Sequence, residues 1–219
     1  MIGSGMSLAY RVSGYNRRRK WELFAREFPP TPGMTVLDVG YNETEYSATD
    51  NYLEKHYPYR GQITALGLDQ PVEFARRYPD VRALSYDGAI FPFDDDSFDV
   101  CWSNAVVEHV GTHRDRWAAQ VRFLSEIRRV ARAGFVTTPN RHFPIEVHTR
   151  TPLLHWLPRP MFHAYLRRTG RAWAAGDYMD LLTMADMRAL LREAGIERYR
   201  IVANRLFGFT MDFVVVFRR

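Results

Sequence analysis

Three aspartates that end apolar, strand-like segments of the chain could together form a ligand site. Asp38 follows the segment MTVL, Asp69 follows QITALGL, and Asp87 follows a third such segment. In an open sheet of parallel strands, the carboxyl ends of the strands meet at one edge, and ligands bind there. Acids at three strand ends are more informative than any single motif, and they predict a binding site at that edge.

The loop after Asp38 reads GYNETEYS and differs from a loop that binds phosphate. A dinucleotide site needs glycines so that backbone amides at a helix start can close on the pyrophosphate. Asn42 and Thr44 stand where such a loop has glycines, and Glu43 and Glu45 would repel a phosphate. The loop therefore argues against a nicotinamide-dependent oxidoreductase.

The hydrophobic pattern that must position these residues alternates between the period of a strand and that of a helix. It predicts strands at 34–39, 62–68, 81–85, 98–103, 133–140, 197–204 and 209–217. It predicts helices at 48–57, 71–77, 115–130, 159–168 and 183–194, the last with a capping box of Thr183 and Asp186. This alternation predicts an α/β fold with a mainly parallel sheet, and the closing pair of strands allows an antiparallel edge strand.

Two further helix patterns carry apolar faces. The basic run at 17–20 is predicted to open a helix whose apolar face is Trp21, Phe24 and Phe28. The helix at 115–130 has an apolar stripe that predicts packing on the sheet, formed by Trp117, Val121, Leu124 and Ile127. We interpret the basic run as a solvated face, because no groove of basic and aromatic residues accompanies it.

Composition limits the classes of protein that the chain can belong to. With 219 residues, 46% of them hydrophobic, it can bury one ordinary core, and we predict a single domain over 1–219. It has no apolar segment long enough to span a membrane and no secretory signal at its start, so we expect a cytoplasmic protein. The net charge of +5 comes from scattered arginines, which predicts no nucleic-acid partner. Cys101 is the only cysteine and is expected to be buried.

The order of motifs resembles that of the class I S-adenosylmethionine-dependent methyltransferases, in particular the group called methyltransferase type 11. The segments that carry the resemblance are VLDVG, GLD, DGAIFPFDDDSFDVCWSNAVVEHV and FVTTPN, within residues 34–140. The segment TTPNRHFPIEVHTRTPLLHWLP further resembles a bacterial subgroup associated with surface-glycan synthesis. The resemblance implies a Rossmann-like methyltransferase sandwich, with 141–182 as an insertion on the substrate side.

Carried over by position, the resemblance implies which residues bind S-adenosylmethionine. Asp38 and Gly40 match the loop near the methionine part, Asp69 matches the acid that binds the ribose hydroxyls, and Asp87 matches the acid near adenine. The full set of predicted cofactor residues is Asp38, Gly40, Tyr41, Asn42, Asp69, Gln70, Asp87, Gly88, Asn104 and Glu108. The sulfonium and ammonium of this cofactor would suit an acidic loop, which explains the missing glycines.

Three histidines are candidates for acting on the methyl acceptor. His109 lies in the segment expected near the methyl group, and His142 and His148 lie in the predicted insertion. A histidine helps as a general base when the acceptor is a poorly acidic hydroxyl. Lining the pocket is the alternative role of His109, and the other two can equally be loop residues bonded to backbone or solvent. No recognised ligand spacing is present, so no metal is predicted.

Three functions remain open from the sequence. The first is methyl transfer from S-adenosylmethionine to a small-molecule or glycan-type acceptor held by 141–182. The second is a methyltransferase-like binding or scaffold protein whose altered loop, with 29 residues from Gly40 to Asp69, no longer supports turnover. The third, a nicotinamide-dependent oxidoreductase, is disfavoured by the acidic loop.

Overall fold

The computed structural model of the protein describes residues 8–146 and 148–219. The helices are α1 Leu8–Glu27, α2 Tyr52–His56, α3 Val72–Arg77, α4 Arg116–Val130, α5 Arg159–Arg168 and α6 Met184–Glu193. The strands are β1 Val36–Val39, β2 Ile63–Gly67, β3 Arg82–Ser85, β4 Val100–Asn104, β5 Ala133–Pro139, β6 Ile145–Glu146, β7 Thr151–Pro152, β8 Tyr199–Leu206 and β9 Phe209–Arg218. The expectation that the chain does not start with a secretory signal concerns in part residues 1–7, which lie outside the described residues.

Seven strands form the main sheet in the order β3-β2-β1-β4-β5-β9-β8. Strands β1 to β5 pair in parallel, whereas β9 is antiparallel to both β5 and β8. The predicted fold class is therefore confirmed, with a mainly parallel sheet and an antiparallel strand near the C-terminal edge. The chain moves outward from β1 to β3 and then returns to β4 on the other side of β1. The topological switch point, where ligands bind in such sheets, lies between β1 and β4.

Helices cover both faces of this sheet, and the central strands are buried throughout. Every residue of β1, β2 and β5 is buried, as expected for parallel strands with helices on both sides. On one face, Phe24 of α1 meets the stacked rings of Trp102 and Phe135, whose centroids are 4.9 Å apart. On the other face, α4 and α6 bury Leu124, Leu191 and their neighbours.

Some predicted details of the helices are wrong. The first helix begins at Leu8, so the basic run at 17–20 lies inside it and does not open it. The second helix contains only Tyr52–His56, because residues 46–50 form a turn in which Asp50 accepts hydrogen bonds from two backbone amides. Trp117 is 39% exposed and is not part of the core, since its Nε1 donates to Glu193 Oε2 at 2.8 Å.

Other details are confirmed. Thr183 and Asp186 form the capping box at the start of α6, and Cys101 is fully buried in β4. Among the described residues, no helix is both long and apolar enough to cross a lipid bilayer.

Candidate active site

The loops that follow β1 and β4 contact each other at the switch point. Gly40 has a φ of 102°, and a Cβ atom added to it would overlap the side chain of Val106. Ala105, just before Val106, also has a left-handed backbone with a φ of 59°. Because the loops touch at a position that tolerates only glycine, the β1 loop and the segment from Asn104 to His109 form one rigid edge.

Asp38 does not face this edge. Its side chain is buried and points to α2, where it meets the carboxyl group of Glu54, which is fully buried. Neither oxygen of Glu54 has a hydrogen-bond partner among the described residues. Burial and the neighbouring carboxyl raise the pKa of Asp38 well above its usual range, and burial also raises the pKa of Glu54. Burial and the proximity of the second carboxyl therefore both disfavour ionisation of the pair.

Tyr41 and Asn42 are fixed by contacts within the loop. The buried ring of Tyr41 packs on Phe74 with a centroid distance of 4.4 Å, and its hydroxyl donates to the backbone oxygen of Asp69 at 2.5 Å. Asn51 holds the backbone of Asn42 from both sides, since Oδ1 accepts from its amide at 2.8 Å and Nδ2 donates to its carbonyl at 2.9 Å. The extra length of this loop is thus folded back on the protein.

The two glutamates of the loop have structural partners, which corrects the interpretation that they attract a cationic ligand. Glu43 accepts hydrogen bonds from the amides of Glu73 and Phe74 at 2.5 and 3.1 Å, so it caps the N-terminus of α3. Glu45 accepts from Lys55 Nζ at 2.9 Å and from the hydroxyl of Tyr78 at 2.5 Å. The missing glycines of the loop therefore reflect these internal contacts.

Asp69 and Asp87, in contrast, follow neighbouring strands at the open edge of the sheet. Gly67 of β2 pairs with Ser85 of β3, and each aspartate follows its strand partner by two residues. Both aspartates are exposed, and Gln70 Nε2 donates to Ser85 Oγ at 2.7 Å, which joins the two loops. The register of one strand pair thus brings these two predicted residues to the same level of the sheet.

Two apolar side chains beside these aspartates were not predicted from the sequence. Leu68 is 68% exposed and Ile90 is 66% exposed, although most large apolar residues of the domain are buried. A Cβ atom added to Gly88 would lie 3.3 Å from Leu68 Cδ2, so the two loops approach closely at this glycine. Exposed apolar side chains next to exposed carboxylates suit a ligand with a flat apolar ring and polar edges. Leu68 directly follows β2 and Ile90 lies in the loop after β3, and these positions are the sequence signal that could have identified them.

Asn104, at the end of β4, belongs to a buried polar network. Its Oδ1 accepts from Lys20 Nζ at 3.1 Å and from Thr137 Oγ1 at 2.8 Å. Lys20 also pairs with Asp212 at 3.2 Å, and both side chains are almost fully buried. The side-chain oxygen of Asn104 is therefore already used inside the protein, a role that its position in the sequence did not indicate.

The structure brings together Glu108, His109 and His148, although 39 residues separate the two histidines. The Nε2 atoms of the two histidines are 3.3 Å apart, and His148 Nε2 is 3.9 Å from Glu108 Oε1. Glu108 is fully buried, and its other oxygen accepts from Thr138 Oγ1 at 3.0 Å. A candidate site thus lies where the β4 segment meets the predicted insertion.

The outer nitrogen of each imidazole is held by an acceptor. His109 Nδ1 donates to the backbone oxygen of Tyr178 at 2.7 Å, and His148 Nδ1 donates to Glu146 Oε1 at 2.8 Å. Although burial raises the pKa of Glu146, its bonds from His148 and Thr149 lower that pKa to about 2 overall. Burial lowers the pKa of His148, but Glu146 and Glu108 raise it more, so the net shift is upward.

His142 lies apart from this cluster. Its side chain is exposed, and its ring makes no hydrogen bond to any residue that the structure describes. Its backbone amide donates to Asn140 Oδ1 at 3.0 Å, which stabilises the turn after β5. The structure therefore joins two of the three predicted catalytic histidines.

Comparison with known proteins agrees with this architecture. Residues 37–136 match the family model for a methyltransferase domain. A similar solved structure is an S-adenosylmethionine-dependent methyltransferase from Thermotoga maritima, with a TM-score of 0.60 and 11% identity over 97% of this chain and 92% of that one. Another is an S-adenosylmethionine-dependent methyltransferase from Aquifex aeolicus, with a TM-score of 0.57 and 18% identity over 95% of this chain and 97% of that one.

A third similar structure contains a bound cofactor product. It is the 1,6-didemethyltoxoflavin-N1-methyltransferase from Burkholderia thailandensis with 1,6-didemethyltoxoflavin and S-adenosylhomocysteine. Its TM-score is 0.54 and its identity 18%, over 98% of this chain and 79% of that one. No curated protein has significant sequence similarity to the chain.

Proposed function

We propose that this chain is an S-adenosylmethionine-dependent methyltransferase that methylates a small-molecule or glycan-type acceptor, which its methyltransferase domain and its fold support. The observation that carries the proposal is the register of β2 and β3, in which Gly67 pairs with Ser85, so that Asp69 and Asp87 each follow a paired residue by two positions, near exposed Leu68 and Ile90. Exposed apolar side chains near exposed carboxylates suit a ligand that has an apolar ring with polar edges. These residues fit an adenosine group.

The roles of the adenosine-side residues follow from their chemistry. Asp69 offers two acceptor oxygens to a ribose diol, and Asp87 offers an acceptor to the exocyclic amine of adenine. Leu68 and Ile90 would cover the two faces of the base, and Gly88 allows the loops to come close enough to do so. Gln70 stabilises this arrangement through its bond to Ser85.

The methionine side is proposed to lie over Gly40, where the β1 and β4 loops touch. Tyr41, Asn42 and Asn104 frame this place: Tyr41 contributes its backbone, since its ring is buried, and Asn42 its exposed side chain, since Asn51 holds its backbone groups. Asp38 acts indirectly in this proposal. Its buried carboxyl meets that of Glu54 on α2, so Asp38 supports the β1 loop from inside the protein and does not touch the ligand.

The acceptor is proposed to bind between the β4 segment and residues 141–182, which we assign as the substrate-side insertion of a single domain. S-adenosylmethionine, when bound, supplies a methyl group on a positively charged sulfur. Because this leaving group is already activated, the residues of the chain chiefly position the acceptor and exclude water. His109 and His148 are the proposed catalytic residues, since their Nε2 atoms lie 3.3 Å apart and face the same place, while their Nδ1 atoms are held by other acceptors. His142, exposed nearby in sequence, remains a predicted contact for the acceptor.

Titration calorimetry with S-adenosylmethionine, S-adenosylhomocysteine and NAD tests the cofactor. We expect both methionine-derived nucleosides to bind and NAD not to bind. An Asp69→Ala variant should bind S-adenosylhomocysteine at least about tenfold more weakly, because a hydrogen bond to a carboxylate contributes about 1.5–3 kcal/mol. Asp80→Ala, which removes an exposed acid elsewhere, is the matched control and should bind like the parent.

The other outcomes distinguish the alternatives. If neither nucleoside binds, the chain is a scaffold with a methyltransferase fold. If Asp69→Ala binds as well as the parent, the adenosine site has been assigned to the wrong residues.

A further inference from the structure

The cluster of Glu108, His109 and His148 contains more acceptors than the described protein can satisfy. A backbone carbonyl and an ionised carboxylate can only accept, so each imidazole must carry its proton on Nδ1. In the neutral rings, both Nε2 atoms therefore present lone pairs, at a separation of 3.3 Å. The third acceptor, Glu108 Oε1, is fully buried and has no hydrogen-bond partner among the described residues. Facing lone pairs of this kind repel one another unless a cation lies between them.

Each of the three side chains also makes a hydrogen bond through an atom that points away from the cluster. His148 is oriented by Glu146, whose second oxygen accepts from both the amide and the hydroxyl of Thr149. His109 is oriented by the backbone oxygen of Tyr178, and Glu108 by the hydroxyl of Thr138. Ligands of protein-bound metals are characteristically oriented in this way, because the outer hydrogen bond fixes the tautomer and the direction of the ring.

We propose that Glu108, His109 and His148 bind a divalent transition-metal ion of the Zn²⁺ or Co²⁺ type. Ligands about 2.1 Å from a tetrahedral metal lie about 3.4 Å from one another. The observed separations of 3.3 and 3.9 Å approach that value, and the ligand atoms of all three residues lie within 4.8 Å of one another. Two imidazoles and one carboxylate favour such an ion over Mg²⁺, which prefers oxygen ligands. This assignment replaces the sequence-based expectation of no metal.

Three protein ligands leave at least one coordination position open, as in catalytic metal sites. Resting on the proposed function, we assign this position to an oxygen of the methyl acceptor. An ion here would hold that oxygen at the edge where the β1 and β4 loops meet. The methyl acceptor would then be a molecule with a hydroxyl or carboxylate group, because a divalent ion does not bind a hydrocarbon.

The metal site is tested with the full chain after treatment with a chelator. Co²⁺ is added, and the visible absorption of four- or five-coordinate cobalt is recorded; Zn²⁺ binding is measured by calorimetry. We expect one ion per chain. His148→Ala should abolish the cobalt spectrum, whereas His56→Ala, which removes an exposed histidine on α2, should leave it unchanged. Glu146→Gln should weaken binding by about 10- to 100-fold, as is typical when the outer partner of a ligand is lost.

The result that overturns the proposal is a parent protein that binds neither ion specifically, or a His148→Ala variant that binds as the parent does. In that case a proton, not a metal, separates the two histidines. Circular dichroism of each variant shows whether it is folded. If His148→Ala is not folded, the Glu146→Gln variant still tests the metal site. S-adenosylhomocysteine binding is measured in parallel. If the nucleoside binds and cobalt does not, only the metal site is wrong; the reverse result leaves the metal site intact and contradicts the proposed function.

Discussion

Asp38 and Glu54 place two carboxyl groups together in the core without a basic partner among the described residues. A buried carboxylate loses its hydration, and a second one beside it adds repulsion, so both effects favour the protonated forms. Such an arrangement lowers stability wherever the pH requires the groups to ionise. The buried carboxyl pair therefore lowers the stability of the protein next to its proposed cofactor loop.

The pair predicts a stability that falls as pH rises. Unfolded carboxyls titrate near pH 4, whereas the folded pKa values of Asp38 and Glu54 are raised, so the folded protein binds more protons. The contribution of the pair is fully present below about pH 4 and is lost as pH rises through the folded pKa values. Glu54→Gln removes one acid and the repulsion that it exerts. Between about pH 5 and about pH 8, we expect the free energy of unfolding of this variant to fall less than that of the parent.

Urea denaturation at several pH values, followed by tryptophan fluorescence, measures this difference. Glu22→Gln changes an exposed glutamate of α1 and should keep the pH dependence of the parent. Identical pH profiles of the parent and Glu54→Gln would contradict the prediction.

Individual residues could be predicted from the sequence only where their position in a strand determines their environment. Asp69 and Asp87 follow parallel strands, and the register of those strands ends with Gly67 opposite Ser85, two residues before each aspartate. The side-chain direction of Asp38 was missed because it depends on Glu54, which lies 16 residues later in a short helix. Glu43 and Glu45 were misinterpreted because their partners belong to α2, α3 and the turn after α3.

The cluster of Glu108, His109 and His148 was beyond a local analysis for a similar reason. Its histidines come from separate segments, and their spacing of 39 residues matches no recognised metal motif. The sequence alone indicated only that EHV at 108–110 follows a strand and that EVH at 146–148 lies in a segment without a clear period. Only the folded chain shows that the two meet.

At the scale of elements, α1 is fixed to the sheet by a buried ion pair as well as by its aromatic face. Lys20 donates to Asp212 of β9, Thr137 of β5 and Asn104 of β4, so one ammonium group joins the helix to three strands. The pair is almost fully buried, and its removal would therefore leave an uncompensated charge in the interior.

We expect Lys20→Met to lower the free energy of unfolding by about 3 kcal/mol, because Asp212 is then buried without its partner. Adding Asp212→Asn should restore part of this loss, since the remaining charge is removed. Chemical denaturation of the two single variants and the double variant gives the coupling between the sites. Arg18→Ala breaks an exposed ion pair in the same helix and should change stability little. Additive effects of the Lys20 and Asp212 substitutions would show that the pair is not coupled.

Most elements could be predicted from the period of the hydrophobic pattern. The helix at 159–168 and the capped helix that follows Thr183 were predicted within one residue of their ends. The predicted helix at 48–57 was too long, because Ser47, Thr49 and Asp50 form side-chain bonds to the backbone and to one another that compete with a helix. The predicted apolar stripe of α4 wrongly included Trp117, whose indole nitrogen donates a hydrogen bond to Glu193 at the surface.

At the scale of the whole molecule, residues 141–182 have a small apolar cluster of their own. Its buried members are Phe162, Leu166 and Ala174, separate from the two clusters that pack on the sheet. Polar contacts connect this segment to the β4 region, among them the bond from the amide of Asp180 to the backbone oxygen of Glu108 at 2.7 Å. A segment with a small separate core can open without unfolding the sheet.

Amide hydrogen exchange should therefore separate the insertion from the sheet. We expect the amide of Leu166 in α5 to exchange at least about tenfold faster than that of Leu124 in α4, although both side chains are fully buried. Mass spectrometry of peptides from α4 and α5 measures the two rates under the same conditions. Equal protection of the two helices would mean that the chain unfolds as a single unit and that the insertion is an integral part of the core.

The two imidazoles of the cluster are oriented by partners of different kinds. The orienting acceptor of His148 is the side chain of Glu146, whereas that of His109 is the main-chain oxygen of Tyr178. A main-chain acceptor persists through any substitution at position 178 that keeps the backbone path, and a side-chain acceptor disappears with its residue. A substitution at Tyr178 would thus remove the ring that packs on His109 at 4.8 Å but keep the hydrogen-bond acceptor of that imidazole, whereas a change at Glu146 would remove the acceptor of His148 itself.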